Sequence, residues 1–126
     1  MGKPCVLLTE DDDTLRQLYS FILSEMDLEV QEAQSGLDAL AILKTCQPDL
    51  LLTDVMMPVM DGIELIGLIR AEKKWKNLPI LVVSAHPEYL AKAYLAGANE
   101  TLRKPTGTNA LRAAIKRNLS ASQEGH

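Results

Sequence analysis

The stretch LLLTDVMMPVMDG, residues 50–62, decides the fold of this chain. Its first part, Leu50–Thr53, is an apolar run too short for a helix, and it ends at an acid, Asp54. A continuous apolar run of this kind is typical of a strand that is covered on both faces, as in a parallel sheet. An isolated carboxylate beside apolar residues is costly unless it has a partner or a function. Asp54 is therefore the first candidate site residue.

Outward from this stretch, short apolar runs alternate with longer segments of helical period. The runs lie at residues 5–8, 28–33, 50–53, 78–83 and 101–103. Four of the segments between and after them repeat apolar residues at helical spacing: Leu15, Leu18, Ile22 and Met26; Leu37, Leu40, Ala41 and Leu43; Ile63, Ile66 and Ile69; and Leu111, Ile115 and Leu119. Another begins near Pro87 and ends at Gly97, residue types that suit a first helical turn and a C-cap. Five β-α repeats predict a doubly wound α/β fold.

The composition is that of an ordinary globular domain. The chain has 126 residues, of which 47% are apolar and 24% charged, and its formal net charge is −4. We expect one domain at residues 1–120 and a disordered tail at 121–126, whose end is typical of a vector-derived remnant. The lack of a basic patch argues against direct nucleic-acid binding. No apolar stretch approaches the roughly 20 residues of a membrane span. Two cysteines without metal-finger spacing fit a reducing compartment, so we expect a cytoplasmic location.

Polar side chains follow the predicted strands at the points where the strands end. They are Glu10, Asp11, Asp12 and Asp13 after the first run, Asp54 after the third, Ser84 after the fourth and Lys104 after the fifth. Ligands of such sheets bind outside the carboxyl ends of the strands, so these residues form the candidate site. The first group also suits a helix N-terminus, and we expect Asp12 or Asp13 to cap the first helix.

Clustered acids raise the cost of ionising one another, and a divalent cation relieves this repulsion. Mg²⁺ takes one or two carboxylates together with waters and phosphate oxygens, whereas a chain with two histidines and no Cys/His cluster is a poor zinc binder. With Asp11 and Asp54 holding Mg²⁺, a phosphoryl group on Asp54 would contact the metal, the Lys104 ammonium and the Ser84 hydroxyl. This arrangement provides the positioning and charge stabilisation that phosphoryl transfer requires.

Over nearly its whole length the chain resembles the receiver domains of bacterial two-component response regulators. The resemblance rests on four motifs: Glu10-Asp11-Asp12, the segment 54–62 with its Met-Pro and Asp-Gly elements, the strand 80–85 with Ser84, and Lys104-Pro105. It implies a flavodoxin-like sheet of five parallel strands, in the order 2-1-3-4-5, with five helices.

The resemblance also implies the roles of the site residues. Asp54 would take a phosphoryl group from a sensor histidine kinase or a histidine phosphotransfer protein. Mg²⁺ would be bound by Glu10, Asp11, Asp54 and the backbone carbonyl of Met56. The switch would act on an output partner or domain through the face of the fourth helix, fifth strand and fifth helix, and a phosphorylation-dependent homodimer is a further expectation. Such a domain catalyses no more than its own phosphorylation and dephosphorylation.

Two positions depart from the family pattern. Receivers commonly carry an aromatic residue three positions before the lysine, where this chain has Thr101, and often a Phe after Lys-Pro, where it has Thr106. Both changes put the usual aromatic switch in question without touching the phosphorylation chemistry. Met56 and His86 stand at positions that the family uses to tune the lifetime of the acyl phosphate, although a surface role for His86 is an equal alternative.

Three rival interpretations remain at this point. A haloacid-dehalogenase-like phosphatase would use Asp11-Asp12-Asp13-Thr14 as its nucleophile loop, but it leaves Asp54 unexplained. A flavodoxin-like flavin binder would place its phosphate against four acids, which would repel it. A pseudo-receiver, which docks without taking phosphate, is argued against by the intact set of acids, serine and lysine.

Overall fold

Strands and helices alternate along the whole of the described chain. The computed structural model describes residues 2–124, with side chains for residues 2–120. The strands are β1 (Cys5–Thr9), β2 (Glu29–Ala33), β3 (Leu50–Thr53), β4 (Ile80–Ser84) and β5 (Glu100–Arg103). The helices are α1 (Asp13–Glu25), α2 (Gly36–Thr45), α3 (Gly62–Ala71), α4 (Pro87–Ala96) and α5 (Thr108–Glu124), with a short 3₁₀ turn at Lys73–Trp75.

The five strands form one parallel sheet in the order β2-β1-β3-β4-β5. The predicted doubly wound architecture and strand order are confirmed. The register aligns Thr9 of β1 with Thr53 of β3, and Thr53 in turn with Val82 of β4. Since Ser84 aligns with Arg103 of β5, the residues that follow these four strands emerge along one edge of the sheet.

Helices cover both faces of the sheet. Neighbouring strand residues point to opposite sides, and here the residues on both sides are apolar and need to be buried. Leu7 and Leu51 belong to a core with residues of α2, α3 and α4, whereas Leu8 and Leu52 belong to a second core with residues of α1 and α5. These strand residues are at most 1% exposed. The burial explains why β1, β3 and β4 are apolar on both faces.

The predicted helix faces are right for α3 and α5 and wrong by one residue in part of α1 and α2. Leu18 is 52% exposed and Leu37 is 56% exposed, although both were assigned to apolar stripes. In α1 the face turned to the sheet instead carries Arg16, Tyr19 and Leu23. A leucine that fits the helical period can therefore lie just outside the buried stripe, where it contributes little packing.

The ends of α4 and α5 can also be compared with the sequence. Pro87 begins α4, and Gly97 follows it with a φ of +128°, a left-handed conformation that favours glycine. Helix α5 continues to Glu124, so residues 121–124 are helical where a disordered tail was predicted. Residues 125 and 126 lie outside the described residues, and the domain limits of 1–120 stay a prediction. Within residues 2–124, no helix combines the length and apolar character that crossing a membrane requires.

Candidate functional site at the carboxyl edge of the sheet

Lys104 lies between two carboxylates that are far apart in the sequence. Its Nζ is 2.9 Å from Oδ2 of Asp54 and 3.4 Å from Oε1 of Glu10. Glu10 is 2% exposed and Asp54 is 9% exposed, whereas one fifth of the lysine side chain reaches solvent. The structure thus brings three of the predicted site residues into direct contact, each from the end of a different strand.

Burial and charge act in opposite directions on these groups. Burial raises the pKa of Glu10 above its ordinary value, although the backbone N–H of Asp12 and the Lys104 ammonium oppose the rise. Burial alone would lower the pKa of Lys104, but its hydrogen bond and charge interactions with Asp54, and the nearby charge of Glu10, raise that pKa overall. The lysine is therefore held in its charged form beside the two acids.

Asp54 is fixed through its backbone and through one of its two carboxylate oxygens. Its N–H donates to the Thr9 carbonyl at 3.3 Å, and its own carbonyl accepts the Thr53 hydroxyl at 2.8 Å. Oδ1 accepts the N–H of Val55 at 2.7 Å. Oδ2 is the oxygen that contacts Lys104, so the carboxylate presents this second oxygen to the site.

Ser84 is fully buried and is joined to Lys104 through its backbone. The Ser84 carbonyl accepts the Lys104 N–H at 2.9 Å, and its hydroxyl accepts the N–H of His86 at 3.3 Å. The peptide bond between Lys104 and Pro105 is cis. The predicted hydroxyl and ammonium groups therefore belong to two segments that are hydrogen-bonded to each other.

The first three acids after β1, Glu10, Asp11 and Asp12, differ in their surroundings. Asp12 caps α1, because its side chain accepts the N–H of Leu15 at 3.0 Å. The prediction that Asp12 or Asp13 caps this helix is therefore confirmed, with Asp12 as the cap. Glu10 points inward, with Oε2 accepting the Asp12 N–H at 3.2 Å. Asp11, between them, is exposed.

These acids fit Mg²⁺ by their donor chemistry. In the described part of the chain, no three carboxylate, histidine or cysteine side chains already converge as a metal cluster. Mg²⁺ does not require such a cluster, because it keeps several waters and is commonly held by one or two carboxylates plus phosphate oxygens. The Asp54 Oδ2 and the exposed Asp11 are hard oxygen donors at the same edge of the sheet.

The remaining predicted residues lie around this centre. Met56 is 51% exposed in the loop after Asp54. The side chain of His86 is 49% exposed, with Nδ1 3.8 Å from a Glu88 carboxylate oxygen and its ring edge-on to Tyr89 at a centroid distance of 5.4 Å. Thr101 is half-buried in β5, opposite Val82 of β4. Among the described residues, no side-chain hydrogen bond or ion pair joins Met56, His86 or Thr101 to the lysine and its two acids.

The sequence did not reveal two residues that hold the site in place. Arg16 is 8% exposed and donates from Nη1 to the Glu10 carbonyl at 2.8 Å. Gly62 begins α3, and a Cβ added there would lie 2.3 Å from the Asp54 carbonyl oxygen. The glycine was recognised as part of a motif but not as a contact of Asp54. The sequence feature that pointed to the burial of Arg16 was its helical spacing. It lies three residues before Tyr19 and seven before Leu23, on the buried face of α1.

Comparison with a family model and with known proteins gives the same family for this chain. The family model described as response regulator receiver domain matches residues 6–116. The chemotaxis protein CheY-3 of Vibrio cholerae is 37% identical over 103 residues, which are 79% of this chain and 79% of that protein. The sensor histidine kinase TmoS of Ectopseudomonas mendocina is 34% identical over 98% of this chain, which spans 13% of the kinase.

Solved structures of response regulators superpose on this chain. A putative response regulator from Chloroflexus aurantiacus superposes with a TM-score of 0.90 at 31% identity, covering 95% of this chain and 99% of that one. The response regulator TrrA of Thermotoga maritima, in complex with Mg²⁺-BeF, superposes with a TM-score of 0.83 at 28% identity, covering 91% of this chain and 98% of that one.

Proposed function

The chain belongs to the response regulator receiver domain family, and we propose that it accepts a phosphoryl group on Asp54 in a Mg²⁺-dependent reaction. The observation that carries the proposal is the contact of Lys104 Nζ with Oδ2 of Asp54, beside the buried Glu10. A buried carboxylate with a lysine on one oxygen and a backbone N–H on the other is oriented as a nucleophile.

In the proposed transfer, an oxygen of the Asp54 carboxylate forms a bond to phosphorus while the bond from phosphorus to the donor's histidine nitrogen breaks. The Lys104 ammonium stabilises negative charge on the phosphoryl oxygens, and the Ser84 hydroxyl donates a hydrogen bond to another of them. Mg²⁺, when bound, would neutralise further oxygen charge. The chain's own residues that would hold it are Glu10, Asp11, Asp54 and the Met56 carbonyl.

Engagement of the Ser84 hydroxyl would couple the phosphate to the start of α4. That hydroxyl accepts the His86 N–H at 3.3 Å, so a hydroxyl that turns towards a phosphate changes the hydrogen bonding of the residue before α4. We propose that the face of α4, β5 and α5 transmits this change to an output partner or domain, or to a second copy of the chain. Since Thr101 supplies no aromatic ring, this path does not depend on one.

The proposed donor is a sensor histidine kinase or a histidine phosphotransfer protein. The match of this chain to part of a sensor histidine kinase, and to a chemotaxis protein of similar length, supports a kinase partner. The TrrA complex supports Mg²⁺ as the metal, because that response regulator was solved with Mg²⁺-BeF. Direct nucleic-acid binding is not part of the proposal, and the cytoplasmic location stays a prediction.

The proposal is tested by incubating the protein with Mg²⁺ and a small phosphodonor and recording its intact mass. We expect the mass of one phosphoryl group to be gained and to be lost after hydroxylamine treatment, as for an acyl phosphate. Asp54→Asn should gain nothing. Asp27→Asn is the matched control, since this aspartate is exposed and pairs with Lys3 at the surface, and it should be modified like the wild type.

The intact mass and a separate assay of phosphate release from a phosphomonoester together separate the rival functions. A wild-type protein that gains no phosphoryl group under these conditions would support a pseudo-receiver. Steady release of phosphate from a phosphomonoester over many turnovers would support a phosphatase. Modification of Asp54→Asn at the wild-type level would overturn the assignment of the acceptor.

A further inference from the structure

Arg16 is a buried guanidinium whose contacts converge on the acidic turn after β1. It lies in the first turn of α1 and is 8% exposed. Nη1 donates to the backbone carbonyl of Glu10 at 2.8 Å, Nε donates to Oε1 of Glu32 in β2 at 3.2 Å, and Nη2 donates to Asp13. Two acids thus hold the guanidinium in place, and its remaining arm contacts a residue of the candidate metal site.

The contact with the Glu10 carbonyl fixes more than Glu10. That carbonyl belongs to the peptide bond between Glu10 and Asp11, which is planar, so holding its oxygen also sets the direction in which the Asp11 N–H and Cα point. The Glu10 N–H is held at the same time by the Ala33 carbonyl at 3.1 Å. The acidic turn is therefore anchored on both sides of Glu10, and Arg16 provides the anchor nearest Asp11.

We propose that Arg16 is a positioning residue for the Mg²⁺ site: it orients the Glu10–Asp11 peptide so that the Asp11 carboxylate and Asp54 can share one ion. This inference rests on the proposed function, because it presumes that Mg²⁺ binds there. In this role Arg16 would act through the Glu10–Asp11 peptide and would not itself be a ligand. Hydrogen-bond partners of metal-binding segments commonly change metal affinity by 10–100-fold when they are removed.

The charge of Arg16 and its hydrogen bonds predict opposite effects on Mg²⁺ affinity. Removing a positive charge from the neighbourhood of an acidic site makes the local field more favourable to a cation, so a purely electrostatic role predicts tighter Mg²⁺ binding. Loss of the hydrogen bond to the Glu10 carbonyl leaves the Glu10–Asp11 peptide free to turn, which predicts weaker binding. The sign of the change therefore distinguishes positioning from charge.

The test is calorimetric titration of Mg²⁺ into the unphosphorylated protein, with the free energy of unfolding measured separately in EDTA. We expect Arg16→Ala to bind Mg²⁺ about ten-fold more weakly than the wild type. Arg16→Lys keeps the charge but lacks the planar fork that reaches three oxygens, so it should also bind more weakly. It serves as the deciding variant if Arg16→Ala fails to fold.

Arg70→Ala is the matched control at the opposite end of the sheet. Arg70 also uses its guanidinium to hold backbone carbonyls, at 2.9 Å to Gly97 and 3.0 Å to Trp75, but it is remote from the acidic turn. We expect this variant to lose stability in EDTA and to keep the wild-type Mg²⁺ affinity. A role of Arg16 in stability alone would make its variants behave like Arg70→Ala.

Each outcome of the titration supports or contradicts the positioning role of Arg16. If wild-type protein and Arg70→Ala bind Mg²⁺ but the folded Arg16 variants bind it equally well or more tightly, the positioning role is wrong while the proposed function stands. If the wild type binds no Mg²⁺, the metal part of the proposed function fails first and the inference fails with it. Weaker binding by both Arg16 variants, together with unchanged binding by Arg70→Ala, supports the positioning role.

Discussion

At the scale of single residues, the site depends on one cation compensating two buried acids. Lys104 Nζ contacts both Glu10 and Asp54, which are at most 9% exposed. Buried charges are tolerated when they are paired, and removing one partner leaves the other charges uncompensated. The stability of the unphosphorylated protein and the reactivity of Asp54 are therefore linked through the same side chain.

Replacing Lys104 by methionine should lower the free energy of unfolding by about 2–3 kcal/mol at neutral pH without Mg²⁺, because two buried carboxylates lose their counter-charge. The measurement is urea denaturation followed by circular dichroism. Lys116→Met is the control, since Lys116 is exposed on α5, and its effect should stay within about 0.5 kcal/mol. Equal effects for the two variants would show that the Lys104 contacts contribute nothing to stability.

The raised pKa of Glu10 predicts how stability changes with pH. Because the folded protein binds this proton more tightly than the unfolded chain, the stabilisation is complete below the ordinary pKa of 4.5 and is lost as pH rises through the higher folded value. Glu10→Gln carries no such proton. The free energy of unfolding of Glu10→Gln, relative to the wild type, should therefore rise as pH increases through this window.

The experiment is urea denaturation of both proteins in EDTA at several pH values on either side of 4.5. Glu25→Gln, at the exposed end of α1, is treated in the same way as a control for replacing an acid by an amide. A constant difference between Glu10→Gln and wild type across the series would mean that burial does not raise the Glu10 pKa.

At the scale of elements, the start of α3 determines the position of the Asp54 loop. Gly62 donates its N–H to the Val55 carbonyl at 2.8 Å and lies directly against the Asp54 carbonyl. Asp61 before it forms a capping box with Glu64, which fixes where the helix begins. The helix end and the strand end therefore contact each other through backbone atoms, with no room for a side chain.

A pair of glycines in α3 tests this contact. Gly62→Ala would place Cβ 2.3 Å from the Asp54 carbonyl oxygen, so we expect about 1–3 kcal/mol of destabilisation and slower phosphorylation of Asp54. Gly67→Ala in the middle of the same helix meets nothing within 4 Å, and it should stabilise the protein by about 0.5–1 kcal/mol. Both effects are read from urea denaturation and from the rate of mass gain. Similar behaviour of the two variants would contradict the close approach.

The elements also show what the sequence could and could not predict. The strands were predictable because short apolar runs require cover on both faces, whereas their order in the sheet followed from the resemblance to receiver domains. The exposure of Leu18 and the burial of Arg16 were not predictable, since the helical period leaves the face of α1 uncertain by one residue. An arginine in a helix is normally expected to face solvent. Arg16 is buried instead because the fold places one acid of β2 and one acid of α1 beside its guanidinium.

At the scale of the whole molecule, the site is assembled from distant parts of the chain. Lys104 is 94 residues from Glu10 and 50 from Asp54. The sequence predicted this assembly because the carboxyl ends of parallel strands share one edge. It could not predict the distances within the site or the backbone link between Ser84 and Lys104, which depend on how the loops after β4 and β5 close.

Since the unfolded chain does not hold these residues together, Mg²⁺ should stabilise the folded state through mass action. At free Mg²⁺ 100-fold above the dissociation constant, the gain should be about 2.7 kcal/mol. Asp54→Asn should gain less, because it loses a carboxylate ligand. The comparison is urea denaturation with MgCl₂ or with KCl of equal ionic strength. Equal stabilisation of Asp54→Asn and wild type would place the Mg²⁺ elsewhere.

The central claim is that Asp54, among the acids at this edge of the sheet, is the residue that becomes phosphorylated. The most direct measurement treats the protein with Mg²⁺ and a small phosphodonor, reduces the acyl phosphate with borohydride, and locates the product by peptide mass spectrometry. We predict homoserine at position 54 when the phosphorylation is carried out with Mg²⁺, and none when EDTA is added in place of Mg²⁺. Reduction at Asp11, Asp12 or another acid, with position 54 unchanged, would contradict the claim.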